Sequence, residues 1–373
     1  MICANQLRKW HTDPVTQYSR LTAQVGVHLI VDGPSLADHV FYRLLAHRSP
    51  ELSPFDASPS YREVGEGFLT FLCELEAHGA NVDFIFFDGL LPTWKRTTRH
   101  DRQAQYLKDL YHLYVTHVTG FEPTFPADTV NLPLKHRLFL CNSRTSAKFR
   151  RPLPLAFLVP AILGTLQGSQ YAARTRLVPE EADGSCARAA RSSGGIILTS
   201  DSDLLVYDLG RNGAVAFLSD VQLTGDGPIG RETAFQETLK LSVWRPKDIA
   251  KKLGLPSLSR FAFEISQDQF VTLTEAVQRA KKSKETPEFQ KFMREYEIDS
   301  ITAEQMVSRF DDPEMTLVRC QQFDPRVSIL GFLRHPPLHI SKTFAASFYS
   351  LETYIFFLSA IHWLKGYRLS RLT

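Results

Sequence analysis

Residues 195–199 read Gly-Ile-Ile-Leu-Thr and are followed, after Ser200, by Asp201-Ser202-Asp203, beyond which the chain turns apolar again at Leu204. A short continuous apolar run bounded by glycine predicts a strand buried on both faces, as inside a parallel sheet. Two carboxylates at the end of such a strand are costly unless a cation neutralises them, and a hard metal ion is the obvious candidate. The feature therefore demands a fold that opens a polar crevice at this strand's carboxyl end and brings further oxygen ligands to it.

Other segments follow the same pattern. Residues 25–33 read as a buried strand closed by Asp32-Gly33, and 34–46 have helical spacing with Ser35 near the helix start. After a Pro- and Ser-rich break at 49–60, residues 61–79 predict a second helix with Gly79 as its C-cap. Residues 81–89 repeat the first strand, ending in Asp88-Gly89, and the basic stretch 94–102 follows. Residues 171–179 predict a short strand, 180–191 a helix opening with Glu180, Glu181 and Asp183, and 214–223 another strand. Helices at 246–255, within 261–280 and over 281–298 complete the pattern. Residues 121–170, proline-rich and without a clear period, read as an insertion or mobile connector. Strand-helix alternation followed by helices predicts an α/β fold: a parallel sheet flanked by helices, with a helical C-terminal extension. The expected organisation is an N-terminal segment over 1–24, the α/β domain over 25–270 with 121–170 inserted, and a helical region over 271–373.

Composition excludes several classes. The 373 residues are 43% hydrophobic and 22% charged, an ordinary globular balance. A net charge of +3 is too mild to predict a nucleic-acid partner, so local clustering must carry that argument. Five scattered cysteines without a CxxC pair argue against a disulfide framework or zinc finger and for a reducing, intracellular compartment. The first residues lack the apolar core of a signal peptide, and no segment reaches the run of about 18 apolar residues that spans a bilayer. The most apolar stretch, 354–364, carries His362 and reads as a buried or partner-facing helix.

In an open parallel sheet, functional groups gather outside the carboxyl ends of the strands. Asp32, Asp88, the Asp201/Asp203 pair and the 180–183 acids all fall on that edge. Each alone has a plain explanation: Asp-Gly is a common turn, acids at a helix start suit its dipole, and one aspartate suffices for a cap. Their joint occurrence is not covered by these. Acids so gathered raise one another's pKa unless cations intervene. Without His or Cys the donor set favours Mg²⁺ or Mn²⁺ over zinc. Two such ions about 4 Å apart activate a water and stabilise the leaving oxygen in phosphodiester cleavage. Cations at 95–102 suit a phosphate that the acids would otherwise repel, while a solvated helix face explains any one of them singly.

In order, IVDGPSL, FIFFDG with its trailing basic residues, VPEEADGSCA and ILTSDSDLLVYDLG resemble the acidic blocks of the XPG/flap-endonuclease superfamily of PIN-like nucleases, and more narrowly its Asteroid-domain branch of fungal type, over about 25–110 and 171–270. The resemblance implies a PIN-like fold and a divalent-metal-dependent, structure-specific nuclease that uses Mg²⁺ or Mn²⁺ on DNA, in DNA repair and in the nucleus. It assigns Asp32, Asp88, Glu181, Asp183, Asp201, Asp203 and Asp268 to the metals, and Lys95 and Arg102 to the scissile phosphate. It sets Arg96 and Arg99 beside them. Residues 121–170 take the place of an arch, where Lys135, Arg137, Arg144, Lys148, Arg150 and Arg151 would track a backbone and Phe139 or Phe149 stack on bases. The sequence departs from the pattern in three places. It begins Met-Ile rather than Met-Gly, position 183 is Asp rather than Glu, and no Gly-Ile-Gly hairpin for gripping duplex follows Asp268. These keep a second reading open, a PIN-like nucleic-acid-binding or scaffold protein without catalysis. A haloacid-dehalogenase-type phosphatase would need Asp-x-Asp-Gly-Thr after its strand, which FIFFDGLLP lacks.

Overall fold

A computed structural model of the chain describes residues 20–22, 26–49, 52, 57–89, 95–116, 132–139, 157–224, 238–268 and 270–298, all within the first of the two units into which the chain divides, Met1–Val327. The strands are β1 (Arg20–Thr22), β2 (Val27–Asp32), β3 (Ala80–Phe87), β4 (Thr175–Leu177), β5 (Ile196–Thr199), β6 (Ala214–Phe217), β7 (Gln222–Thr224) and β8 (Thr238–Trp244). The helices are α1 (Gly33–Leu45), α2 (Tyr61–Ala77), α3 (Arg96–Thr116), α4 (Leu134–Phe139), α5 (Leu158–Gln167), α6 (Ala182–Ser193), α7 (Pro246–Leu253), α8 (Ser259–Gln267), α9 (Leu273–Lys282) and α10 (Pro287–Met293).

The sheet runs β1-β8-β6-β5-β2-β3-β4, with β7 also on β8. Its centre, β6-β5-β2-β3-β4, is parallel, and β8 runs antiparallel to β6, β1 and β7. The predicted mixed α/β fold with a mostly parallel sheet is therefore present. The stretch read as one strand at 214–223 is two, split by a single 3-10 turn at Leu218–Asp220, and the pair β1–β8 was not foreseen. From β2 the chain winds to β3 and β4 on one side, then returns to β5 and β6 on the other. Right-handed crossovers in opposite directions put α1 and α2 on one face and α6 on the other. Alternation within the strands agrees: Ile30, Ile197 and Val215 pack among residues of α6, α7, α8 and α9, while Leu29, Val31, Ile196 and Leu198 are buried outside that cluster.

The first helix begins because Asp32 caps it and Pro34 presets its first turn. α2 opens with a full capping box: Glu63 N–H donates to Ser60 Oγ, and Ser60 N–H donates to Glu63 Oε2. α6 ends at Gly194, whose φ of +73° is the left-handed cap conformation that suits glycine. Residues 121–170 were expected to form an insertion or connector, yet their described parts include α4 and α5, which bury Leu138, Phe139, Leu158, Ile162 and Leu166. Phe139 is stacked on Phe71 with centroids 4.5 Å apart, so it has no face to offer a base. Arg144, Lys148, Arg150, Arg151, Phe149 and the apolar stretch 354–364 lie outside the described residues. No helix among the described residues is long and apolar enough to cross a membrane.

Candidate metal and phosphate site

The chain reverses its winding direction between β2 and β5, and side chains at such a switch point face a crevice at the strands' carboxyl ends. Asp32 ends β2 there, 4% exposed. Three donors hold its carboxylate. Ser35 gives its backbone N–H at 3.3 Å and its hydroxyl at 2.6 Å, and Thr199, ending β5, gives its hydroxyl at 2.6 Å across the switch point. Asp32 is thus the cap of α1 rather than the plain turn that Asp-Gly suggests, and the cap also belongs to the crevice. Burial pushes its carboxyl above the usual range, the Ser35 and Thr199 hydrogen bonds pull it back, and Asp201 adds repulsion.

The parallel pairing of β3 with β4 continues past both strands through Val178 N–H to Phe87 O and Gly89 N–H to Glu180 O, each 3.0 Å. This zipper delivers Asp88 to the start of α6, where its Oδ1 accepts the Ala182 N–H at 2.7 Å. Glu181, the helix's own cap residue, makes no side-chain cap bond. Its carboxylate instead accepts from Lys95 Nζ. A Cβ at Gly89 would stand 1.9 Å from Val178 O, so only glycine permits this approach. Asp88 is raised to about 6, by burial first, against the Ala182 N–H and with repulsion from Asp32 and Glu181, while the Arg99 charge pulls the other way.

Asp183, in the first turn of α6, is raised well above the carboxylate range. Burial leads, followed by the charges of Asp32, Asp201, Asp88 and Glu181. Asp201 folds back so that its Oδ1 accepts the Asp203 N–H at 2.9 Å, while its own N–H donates to Thr199 Oγ1 at 2.9 Å. The structure thus brings Asp32, Asp88, Glu181, Asp183 and Asp201 into one electrostatic group, with Asp203 on the adjoining 3-10 turn. Asp268 caps the end of α8, accepts the Phe270 N–H at 3.0 Å and pairs with Arg279 at 3.5 Å.

Of the basic residues, Lys95 is half-buried against Glu181. Burial pulls its ammonium down, but the Glu181 hydrogen bond and the charges of Glu181, Asp183 and Glu295 outweigh this and hold it above its ordinary value. Arg99 and Arg102 are exposed on α3, and it is Arg99 whose charge reaches Asp88; Arg96 begins that helix. Sequence reasoning did not select Thr199 as a holder of Asp32, though a hydroxyl two residues before Asp201 is a visible signal. Nothing in the sequence pointed to Glu295 and Tyr296, which follow α10. Tyr296 lies in the field of Asp203, Glu295, Asp201 and Asp183.

All-carboxylate donors that raise one another's pKa are, in kind, the ligands of a hard divalent cation. Among the described residues no three His, Cys, Asp or Glu side chains are gathered tightly enough to hold a metal ion by themselves. A parallel sheet with acids at its central carboxyl edge, fed by successive strand ends, defines the PIN-like class of folds. A family model described as "XPG domain containing" matches residues 154–369, more than half of the chain, and the protein belongs to that family, which comprises in general nucleases that bind nucleic acid. A search of curated proteins finds no match.

Proposed function

We propose that the protein is a divalent-metal-dependent nuclease that hydrolyses phosphodiester bonds in DNA of particular structure, in DNA repair. The observation that carries this reading is Asp183, whose carboxyl feels four others, Glu181 beside it and Asp32, Asp88 and Asp201 from three separate strand ends. Apolar packing gives no reason for such a concentration of like charge, whereas phosphoryl chemistry on a cation does. Asp88, Glu181, Asp183 and Asp201 are the side chains that would hold Mg²⁺ or Mn²⁺, with Asp32 fixed behind them by Ser35 and Thr199. A pair of such ions, when bound, supplies an activated water and neutralises the leaving oxygen. The chain's own contribution is to attract and seat the phosphate: Lys95 and Arg99 place positive charge beside the acids, and the exposed Arg102 extends it along α3.

One observation favours binding without cleavage: the Lys95 ammonium is already on Glu181, where it neutralises one acid without a metal. The two readings separate on labelled flap, overhang and single-stranded substrates incubated with Mn²⁺ or EDTA. Metal-dependent cleavage that is lost in Asp201→Ala, with the fold retained by circular dichroism, is the expected result. Cleavage by Asp201→Ala at the wild-type rate, or binding with no cleavage by either protein, would remove the nuclease reading.

A further inference from the structure

The turn that follows α10 reaches the acid group from a part of the chain that carries no readable motif. Tyr296 is placed there by aromatic packing: its ring lies 5.2 Å from that of Tyr207 and 4.9 Å from that of Phe292. Tyr207, in turn, donates its hydroxyl to the Glu295 carbonyl at 3.4 Å, which ties the turn to the segment just after Asp203. Phe292 continues the chain of rings to Phe263, 5.6 Å away on α8. The ring of Tyr296 is therefore fixed by the core. Its hydroxyl is not: among the described residues it has no hydrogen-bond partner, yet it sits near Asp183, Asp201, Asp203 and Glu295.

A hydroxyl among carboxylates is a donor awaiting an anion. A phosphodiester entering this site meets a wall of like charge, and Lys95 is engaged by Glu181 while also feeling Asp183 and Glu295. The charges of Asp183 and Glu295 thus act on both Tyr296 and Lys95, which come from opposite regions of the sequence. We propose that Tyr296 is a substrate-binding residue that donates its O–H to a non-bridging oxygen of the phosphate next to the scissile bond, forming with Lys95 a two-donor clamp over Asp183. Burial and the surrounding acids both raise the phenol further above its ordinary range, so it remains a donor throughout the working pH range.

This inference rests on the nucleic-acid reading above, and the test separates their failures. Tyr296→Phe keeps the ring packing and removes only the donor. Affinity for a short labelled oligothymidylate is measured by anisotropy in Ca²⁺, and cleavage in Mn²⁺. The expected outcome is an affinity about tenfold weaker, a KM raised by the same factor, and an unchanged melting temperature, in line with loss of one hydrogen bond to a charged group. Replacing a single phosphate by a methylphosphonate supplies the complementary loss, and at the contacted linkage the two changes combined weaken binding no more than either alone. Wild-type affinity in Tyr296→Phe, or fully additive losses at every linkage, would overturn the clamp while leaving the nuclease reading intact. A wild-type protein that binds no oligonucleotide would overturn both.

Discussion

Thr199 illustrates how much one hydroxyl does at this site. It donates to Asp32 at 2.6 Å and accepts from the Asp201 N–H at 2.9 Å, joining the ends of two strands and two acids. Thr199→Val keeps the shape and leaves a buried carboxylate and a backbone donor short of a partner. The expected cost is about 1–3 kcal/mol, read by urea unfolding at neutral pH, and it should shrink in acid, once Asp32, whose carboxyl is raised by burial, accepts a proton and no longer needs every donor. A loss as large in acid as at neutrality would mean that packing, not the Asp32 contact, sets the effect.

At the scale of elements, the decisive junction is that of β3, β4 and α6. Asp88, from one strand, caps a helix that begins ninety-odd residues later, and Gly89 lets the backbones close. Asp88→Asn retains an oxygen for the Ala182 N–H and removes a charge that burial and neighbouring acids disfavour. The variant should be more stable than the wild type at neutral pH by about 1–3 kcal/mol, yet cleave at least about a hundredfold more slowly if Asp88 holds a metal. A variant both less stable and fully active would refute this account of the junction. Gly89→Ala should destabilise by about 1–3 kcal/mol, since a Cβ at 1.9 Å from Val178 O forces the strand ends apart; chemical denaturation compared with the wild type measures it.

For the whole molecule, the acid group makes a signed prediction. Asp88 is raised from 3.8 to about 6, and Asp32 and Asp183 are also raised. In the interval between the ordinary and raised values the folded protein binds more protons than the unfolded chain, so stability falls as pH rises, and the full Asp88 penalty stands above about pH 6. The metal-free protein should accordingly melt higher near pH 5 than near pH 7.5, and Mn²⁺ should restore the difference at the higher pH while doing little at the lower. Equal melting points at both pH values, with no response to Mn²⁺, would show that the acids are not coupled. The same scale explains why the site extends past the stretch first assigned to it: α9 and α10 share a core with α8, and that packing carries Tyr296 to the acids.

Local pattern was enough for the strands at Asp32, Asp88 and Asp201, the helices between them, and the parallel sheet that follows, because a buried strand leaves an unbroken apolar run whatever surrounds it. The same logic put Asp32, Asp88, the Asp201/Asp203 pair and the 180–183 acids on one edge of the sheet, since chain direction alone decides which strand end faces the crevice. Three-dimensional packing decided the rest. It set Asp268 against Arg279, turned Phe139 inward onto Phe71, gave Lys95 to Glu181, and brought in Thr199, Glu295 and Tyr296. Those outcomes depend on which side chains meet across tens or hundreds of residues, and contacts of that range leave no periodic trace in the chain that makes them.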